Sequence, residues 1–160
     1  DLAQDNSPEW SAWQHAIRWV QEQYGEFERF ISLPTTSPLR NSGDVHACLN
    51  ALDDMTDIVV TMTETDRSPW FNMVRFTEDG FLRLVAENNK SYVCRQEVPK
   101  VFDMTTIAYV ARPNFILKCN SIWEGNVSGV LIPQERAVDI DTILEFKITE
   151  FLMEHQLKGE

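Results

Sequence analysis

Asp57-Ile58-Val59-Val60-Thr61-Met62-Thr63 is the stretch on which the fold turns. It is apolar or β-branched almost throughout and contains neither glycine nor proline. Ile58-Val59-Val60 offers no polar residue on either side of the pleat, the pattern of a central strand buried on both faces. Such a strand needs neighbours beside it and helices above and below, which is an α/β layer architecture.

The preceding chain supplies that setting. Ser7-Pro8-Glu9 reads as a helix start, with a hydroxyl N-cap, proline at the first helical position and an acid in the first turn. Trp10, Trp13, Ile17, Val20 and Tyr24 follow as one apolar stripe, and Gly25 is placed to end the helix. Phe27 to Leu33 reads as a strand stopping at Pro34. A helix from about Gly43 to Asp54 puts Val45, Cys48, Leu49 and Leu52 on one face.

Beyond Thr63 the helix–strand alternation breaks. Phe71 to Phe76 and Phe81 to Val85 flank Thr77-Glu78-Asp79-Gly80, which predicts a β-hairpin. The polar stretch Ala86 to Lys100 has no periodicity, so residues 69–103 are expected to form an arm inserted into one domain spanning 1–160. Alternation resumes with a strand at Thr105 to Ala111, a short helix opened by Pro113, a strand at Val127 to Ile132 and a last helix at Ile143 to Gln156.

Composition narrows the function. A net charge of −11 without a Lys/Arg-rich block lacks the phosphate-neutralising surface that nucleic acid requires, and disfavours anionic membranes. Cys48, Cys94 and Cys119 form no C-x-x-C pair and share no ligand spacing with His15, His46 or His155. They read as free thiols in a reducing compartment, the cytoplasm. Asn126-Val127-Ser128 matches a glycosylation sequon, but no signal peptide or membrane-length apolar run accompanies it. The chain starts at Asp1 rather than Met and is expected to be a trimmed or partial sequence.

Two segments carry chemistry. In Asp139-Ile140-Asp141-Thr142, carboxylates two residues apart share one side of an extended backbone and suit a hard cation such as Mg²⁺, whose shell substrate phosphates complete. Thr142 and Glu145 also read as a capping box, so Asp141 has a second reading as a helix-start acid. Pro34-Thr35-Thr36-Ser37-Pro38-Leu39-Arg40 follows the carboxyl end of a strand, where open α/β sheets place ligand sites. By residue type alone it reads first as an ordinary proline-bounded connection, because such residues dominate turns for local reasons. Arg95 is a bidentate carboxylate binder or a solvated charge, and Trp123 a pocket wall or a packed ring.

Taken in order, these segments resemble the acylneuraminate cytidylyltransferases, or CMP-sialic acid synthetases. Leu33 to Arg40 is similar to the family's L-Q-P-T-S-P-L-R loop. Leu2 to Asp5 and His15-Ala16-Ile17 look like the segment after its R-P turn, and Asp66 to Met73 like the entry to its dimerisation arm. Arg95-Gln96-Glu97-Val98-Pro99 and Thr105 to Val110 resemble its R-Q-x-x-P run and N-G-A-I-Y-I strand, and Val138 to Thr142 its I-D-I-D-T motif. The resemblance implies a Rossmann-like three-layer nucleotidyltransferase core with an inserted β-hairpin dimerisation arm, and therefore a homodimer. The implied reaction transfers CMP from CTP to the anomeric hydroxyl of a nonulosonic acid, releasing pyrophosphate. Asp139 and Asp141 would hold Mg²⁺. Arg95 would meet the sugar carboxylate from the neighbouring subunit, Tyr109 and Trp123 would line the sugar pocket, and Thr36, Ser37 and Arg40 would belong to the binding loop.

Three departures accompany the resemblance. Pro34 stands where the family has the Gln that touches the sugar's acyl group, and Thr105-Thr106 replaces Asn-Gly. Both imply a variant sugar such as legionaminic acid or a related nonulosonate. The family's N-terminal strand and R-G-G-S-K phosphate-binding loop are not in these residues. The implied alternative is a non-catalytic relative retaining the dimer interface and remnants of the sugar pocket.

Overall fold

The computed structural model describes residues 8–86, 92 and 94–156. By contact the chain divides into two compact units, Asp1–Thr63 with Met104–Glu160, and Glu64–Asp103.

The first unit is built on a four-stranded sheet in the order β1-β5-β2-β6, with β1 at Phe30–Ser32, β2 at Ile58–Glu64, β5 at Phe102–Ala111 and β6 at Val127–Leu131. β2 is buried from Ile58 through Thr61, as its unbroken apolar run requires. It pairs in parallel with β6, Ile58 opposite Val127 and Met62 opposite Leu131. β5 runs antiparallel to β1. The Arg112 N–H also donates to the Asp57 carbonyl while Thr61 lies beside Ala108, so β5 runs against β2 as well. The sheet is therefore mixed, with one reversed strand between two parallel ones.

Alternate residues serve opposite faces. On one, Ile58, Val60, Tyr109 and Ala111 meet Trp13 and Ile17 of α1 (Glu9–Tyr24) and Phe115 and Ile116 of α3 (Pro113–Lys118). On the other, Val59, Ala108 and Val110 meet Cys48 and Leu52, the helix α2 (Ser42–Ala51) and its C-cap. Helix, sheet and helix make three layers, each fully buried aliphatic side chain contributing roughly 1.5–3 kcal/mol. The last helix, α4, spans Ile143–Gln156.

Several boundaries differ from the sequence reading. The N-cap of α1 is Pro8, without a side-chain cap bond, and Ser7 lies outside the described residues. β1 has three residues rather than seven, because beyond Ala111 the partner strand turns into α3 at Pro113, which has no N–H to continue a ladder. α2 stops at Ala51, and its capping box is made by Asn41 and Asp44, each accepting from the other's backbone at 3.0 Å.

In the second unit β3 (Val74–Phe76) and β4 (Leu82–Leu84) form the antiparallel hairpin, with Val74 opposite Leu84. Gly80 takes the positive φ of 83° that the turn needs, and Thr77 and Phe81 bond across it. Arg95–Glu97 is a single 3-10 turn within the polar stretch, much of which lies outside the described residues. Among the described residues no helix is long and apolar enough to cross a membrane.

Candidate functional site

The acidic segment lies between β6 and α4, and both neighbours fix it. The Ile140 N–H donates to the Thr36 carbonyl at 2.9 Å, pinning the residue between the two acids onto the loop after β1. Upstream, Arg136 grips the buried Asp44 of α2 with both arms of its guanidinium, Nη2–Oδ1 at 2.9 Å and Nε–Oδ2 at 3.1 Å. That bond holds the approach to Asp139, and it raises the Arg136 pKa further. Downstream the capping box forms as read. Glu145 Oε2 accepts from the Thr142 N–H at 2.7 Å, the Thr142 hydroxyl at 2.9 Å and the Asp141 N–H at 3.0 Å. Those bonds, that of the Thr142 hydroxyl first, lower the Glu145 pKa.

Asp139 is half-buried. Its Oδ1 is enclosed and finds no hydrogen-bond partner among the described residues, whereas Asp141 is exposed. An enclosed carboxylate oxygen without a donor costs free energy unless a proton, a cation or a ligand donor reaches it. The charge of Asp139 is felt by Glu145 and by the Tyr109 hydroxyl, whose pKa is raised by burial first and then by Glu9 and Asp139. Tyr109 is thus held as a neutral phenol. Among the described residues no three His, Cys, Asp or Glu side chains cluster as a metal cage.

The loop Pro34–Arg40 is turned inward. Ser37 is fully buried, its Oγ 2.6 Å from Thr106 Oγ1. Arg40 donates from Nη1 to the Ile107 carbonyl at 2.9 Å and from Nη2 to the Pro34 carbonyl at 2.5 Å. Of the three predicted loop contacts, only the Thr36 side chain is exposed. Tyr109 is 7% exposed and packs on Trp13 with ring centroids 5.1 Å apart, while Trp123 is 70% exposed in the 3-10 turn Ile122–Glu124. No ring contact joins the two among the described residues. Arg95 belongs to the second unit and is ion-paired there with Asp66.

The Ile140–Thr36 bond sets the segment carrying Asp139 and Asp141 beside the loop after β1, and the sequence reading missed the Asp44–Arg136 pair that holds its approach. The Asn41-x-x-Asp44 spacing carried a signal for the cap, and none for a partner 92 residues away.

No family model matches the chain. It is 28% identical over 157 residues to the post-translational flagellin modification protein B of Campylobacter coli, covering 97% of this chain and 66% of that protein. Over 95 residues it is 30% identical to the CMP-N,N'-diacetyllegionaminic acid synthase of Campylobacter jejuni, covering 59% of this chain and 39% of the synthase. The chain thus spans less than two thirds of either relative. In three dimensions it is similar to a CMP:2-keto-3-deoxy-manno-octonic acid synthetase solved with CTP, at TM-score 0.60 and 13% identity, over 94% of this chain and 70% of that one. It is also similar to a 4-diphosphocytidyl-2C-methyl-D-erythritol synthase from Anaerococcus prevotii, at TM-score 0.58 and 12% identity, over 86% of this chain and 64% of that one. These matches bear out the resemblance and the fold class: the chain is similar to a CMP-N,N'-diacetyllegionaminic acid synthase and shares the α/β fold of the two solved cytidylyl-transferring synthases.

Proposed function

We propose that the protein transfers CMP from CTP to the anomeric hydroxyl of a nonulosonic acid, with N,N'-diacetyllegionaminic acid the first acceptor to test. The observation that carries the reading is the Asp139 carboxylate: one oxygen enclosed and, among the described residues, unpartnered, on a segment whose backbone is pinned to the loop after β1. The likeness to a CMP-N,N'-diacetyllegionaminic acid synthase supplies the substrate class.

The donor set fits Mg²⁺, with Asp139 and the exposed Asp141 as its protein ligands. When bound, the ion would offset charge on the triphosphate and the leaving pyrophosphate. Asp139 contributes an oxygen already stripped of water, whose missing partner a cation would supply once the groups enclosing it open to admit the ion. Glu145 is committed to the cap and keeps the segment from fraying. The neutral Tyr109 phenol remains a donor beside Asp139. Trp123 is free to stack on a ligand, and the Thr36 hydroxyl to bond one.

Homodimerisation belongs to the same proposal. Val74, Phe76, Phe81 and Leu82 of the hairpin are each more than half exposed, and an isolated two-stranded ribbon is marginal without a partner. A dimer would cover them, and Arg95 from the neighbouring subunit would exchange Asp66 for the sugar carboxylate.

The test is Mg²⁺-dependent pyrophosphate release from CTP plus N,N'-diacetyllegionaminic acid. Asp139→Asn should lower turnover by about a hundredfold or more at unchanged melting temperature. Absence of turnover by folded wild-type protein with any nonulosonic acid would sink the reading.

A further inference from the structure

Two side chains of the loop after β1, Ser37 and Arg40, are spent on contacts within the fold. Thr36 C=O, which receives the Ile140 N–H, belongs to the planar peptide whose other end is the Ser37 nitrogen. Wherever Ser37 is held, that carbonyl is aimed. Ser37 is held by one side-chain bond, the 2.6 Å contact with Thr106, and Arg40 ties both ends of the arrangement by bridging the Pro34 and Ile107 carbonyls. Thr106 is in turn fixed within β5, because the preceding Thr105 bonds through its hydroxyl to buried Thr61 of β2 at 2.8 Å.

We propose that the Ser37–Thr106 hydroxyl pair is a positioning device for the acidic segment: it aims the Thr36 carbonyl that anchors Ile140, and so sets where Asp139 and Asp141 present their carboxylates. The inference rests on the metal reading above only for its functional consequence. A glycine at 106 would leave the buried Ser37 hydroxyl without this partner, so the threonine is what gives this chain the device. Ser37, fully buried, acts through Ile140.

Amide hydrogen exchange at Ile140 and Mn²⁺ titration followed by paramagnetic resonance test it. Thr106→Val keeps the shape and removes the hydroxyl, and Ser37→Ala interrogates the same bond from the other side should the first variant fold poorly. Cys48→Ala, a truncation in the α2 core, controls for lost stability. Relative to that control, both hydroxyl variants should exchange Ile140 roughly fivefold faster, the order expected for one net hydrogen bond. Mn²⁺ affinity should fall by a similar factor, and Thr106→Ser should restore both. Equal Ile140 protection in Thr106→Val and Cys48→Ala overturns the proposal. Faster exchange in a protein whose wild type binds no Mn²⁺ upholds the anchor and removes the metal reading instead.

Discussion

Helices α1 and α4 are of similar length and carry similar apolar content, yet they settle into the fold in opposite ways. α1 buries its stripe: Trp13 and Ile17 are in the core, and Trp13 touches the rings of Trp10, Phe30 and Tyr109 at 5.1–5.7 Å. The Trp10 indole N–H and the Gln14 amide donate to the Cys119 carbonyl, so the polar groups along this face are also paired. In α4 the inward line is Glu145, Thr149 and Leu152, at i, i+4 and i+7. Thr149 is buried with its hydroxyl unpartnered among the described residues, while Leu144, Ile148 and Phe151 lie in an adjacent line and are exposed. An apolar stripe thus states how much surface a helix would gain by covering, and not which side the fold covers. α1 draws its stability from packing, and α4 starts from its capping box.

Variants should separate the two helices, most strongly at the rings. Trp13→Ala should cost about 3–5 kcal/mol in denaturant unfolding, since it opens a cavity among three aromatic rings. Asp44→Ala should come next, at about 2–3 kcal/mol, because it leaves the partly buried Arg136 without its carboxylate and α2 without half of its capping box. On α4 the sign should reverse. Thr149→Val removes a buried hydroxyl that has no partner and should be neutral or stabilise by up to about 1 kcal/mol. Phe151→Ser, on the exposed line, should change stability by less than about 0.5 kcal/mol. A cost for Phe151→Ser comparable to that of Trp13→Ala would break the contrast between the helices.

Cys48, on the α2 face, extends the comparison to pH. Burial first, and then the Asp44 charge, push its thiol from an ordinary value of 9.0 up to about 11. The folded state thus holds the proton more tightly than the unfolded one. The corresponding stability is fully present below pH 9 and is lost as pH rises toward about 11. Unfolding monitored between those values should show that decline, and Cys48→Ala should flatten it.

Local signals in the chain account for much of what was legible. β2 announced itself through an unbroken apolar run, the hairpin through Thr77 to Gly80, and α4 through the Thr142–Glu145 box, because each device closes within a few residues. The acidic segment and the loop after β1 were legible as candidates for the same reason. What could not be read was occupancy. Ser37 and Arg40 offered a hydroxyl and a cation that suit a ligand equally well, and only folding shows them turned onto Thr106 and two carbonyls. Arg95 was likewise legible as a carboxylate binder, and the carboxylate it meets is Asp66.

By itself, then, the sequence determined the layered α/β class, the hairpin, the capped start of α4 and the acidic pair before it. Periodicity, turn chemistry and capping act over single turns of chain, within reach of residue order alone. Tertiary structure alone decided that β5 runs reversed between β1 and β2, that Asp44 finds Arg136, and that Ile140 docks on Thr36. It also decided that Asp139 keeps one enclosed oxygen without a partner among the described residues. Those outcomes join groups up to about a hundred residues apart, and for such pairs the residue type states only what a side chain can bond, while the packing of sheet and helices states what it meets.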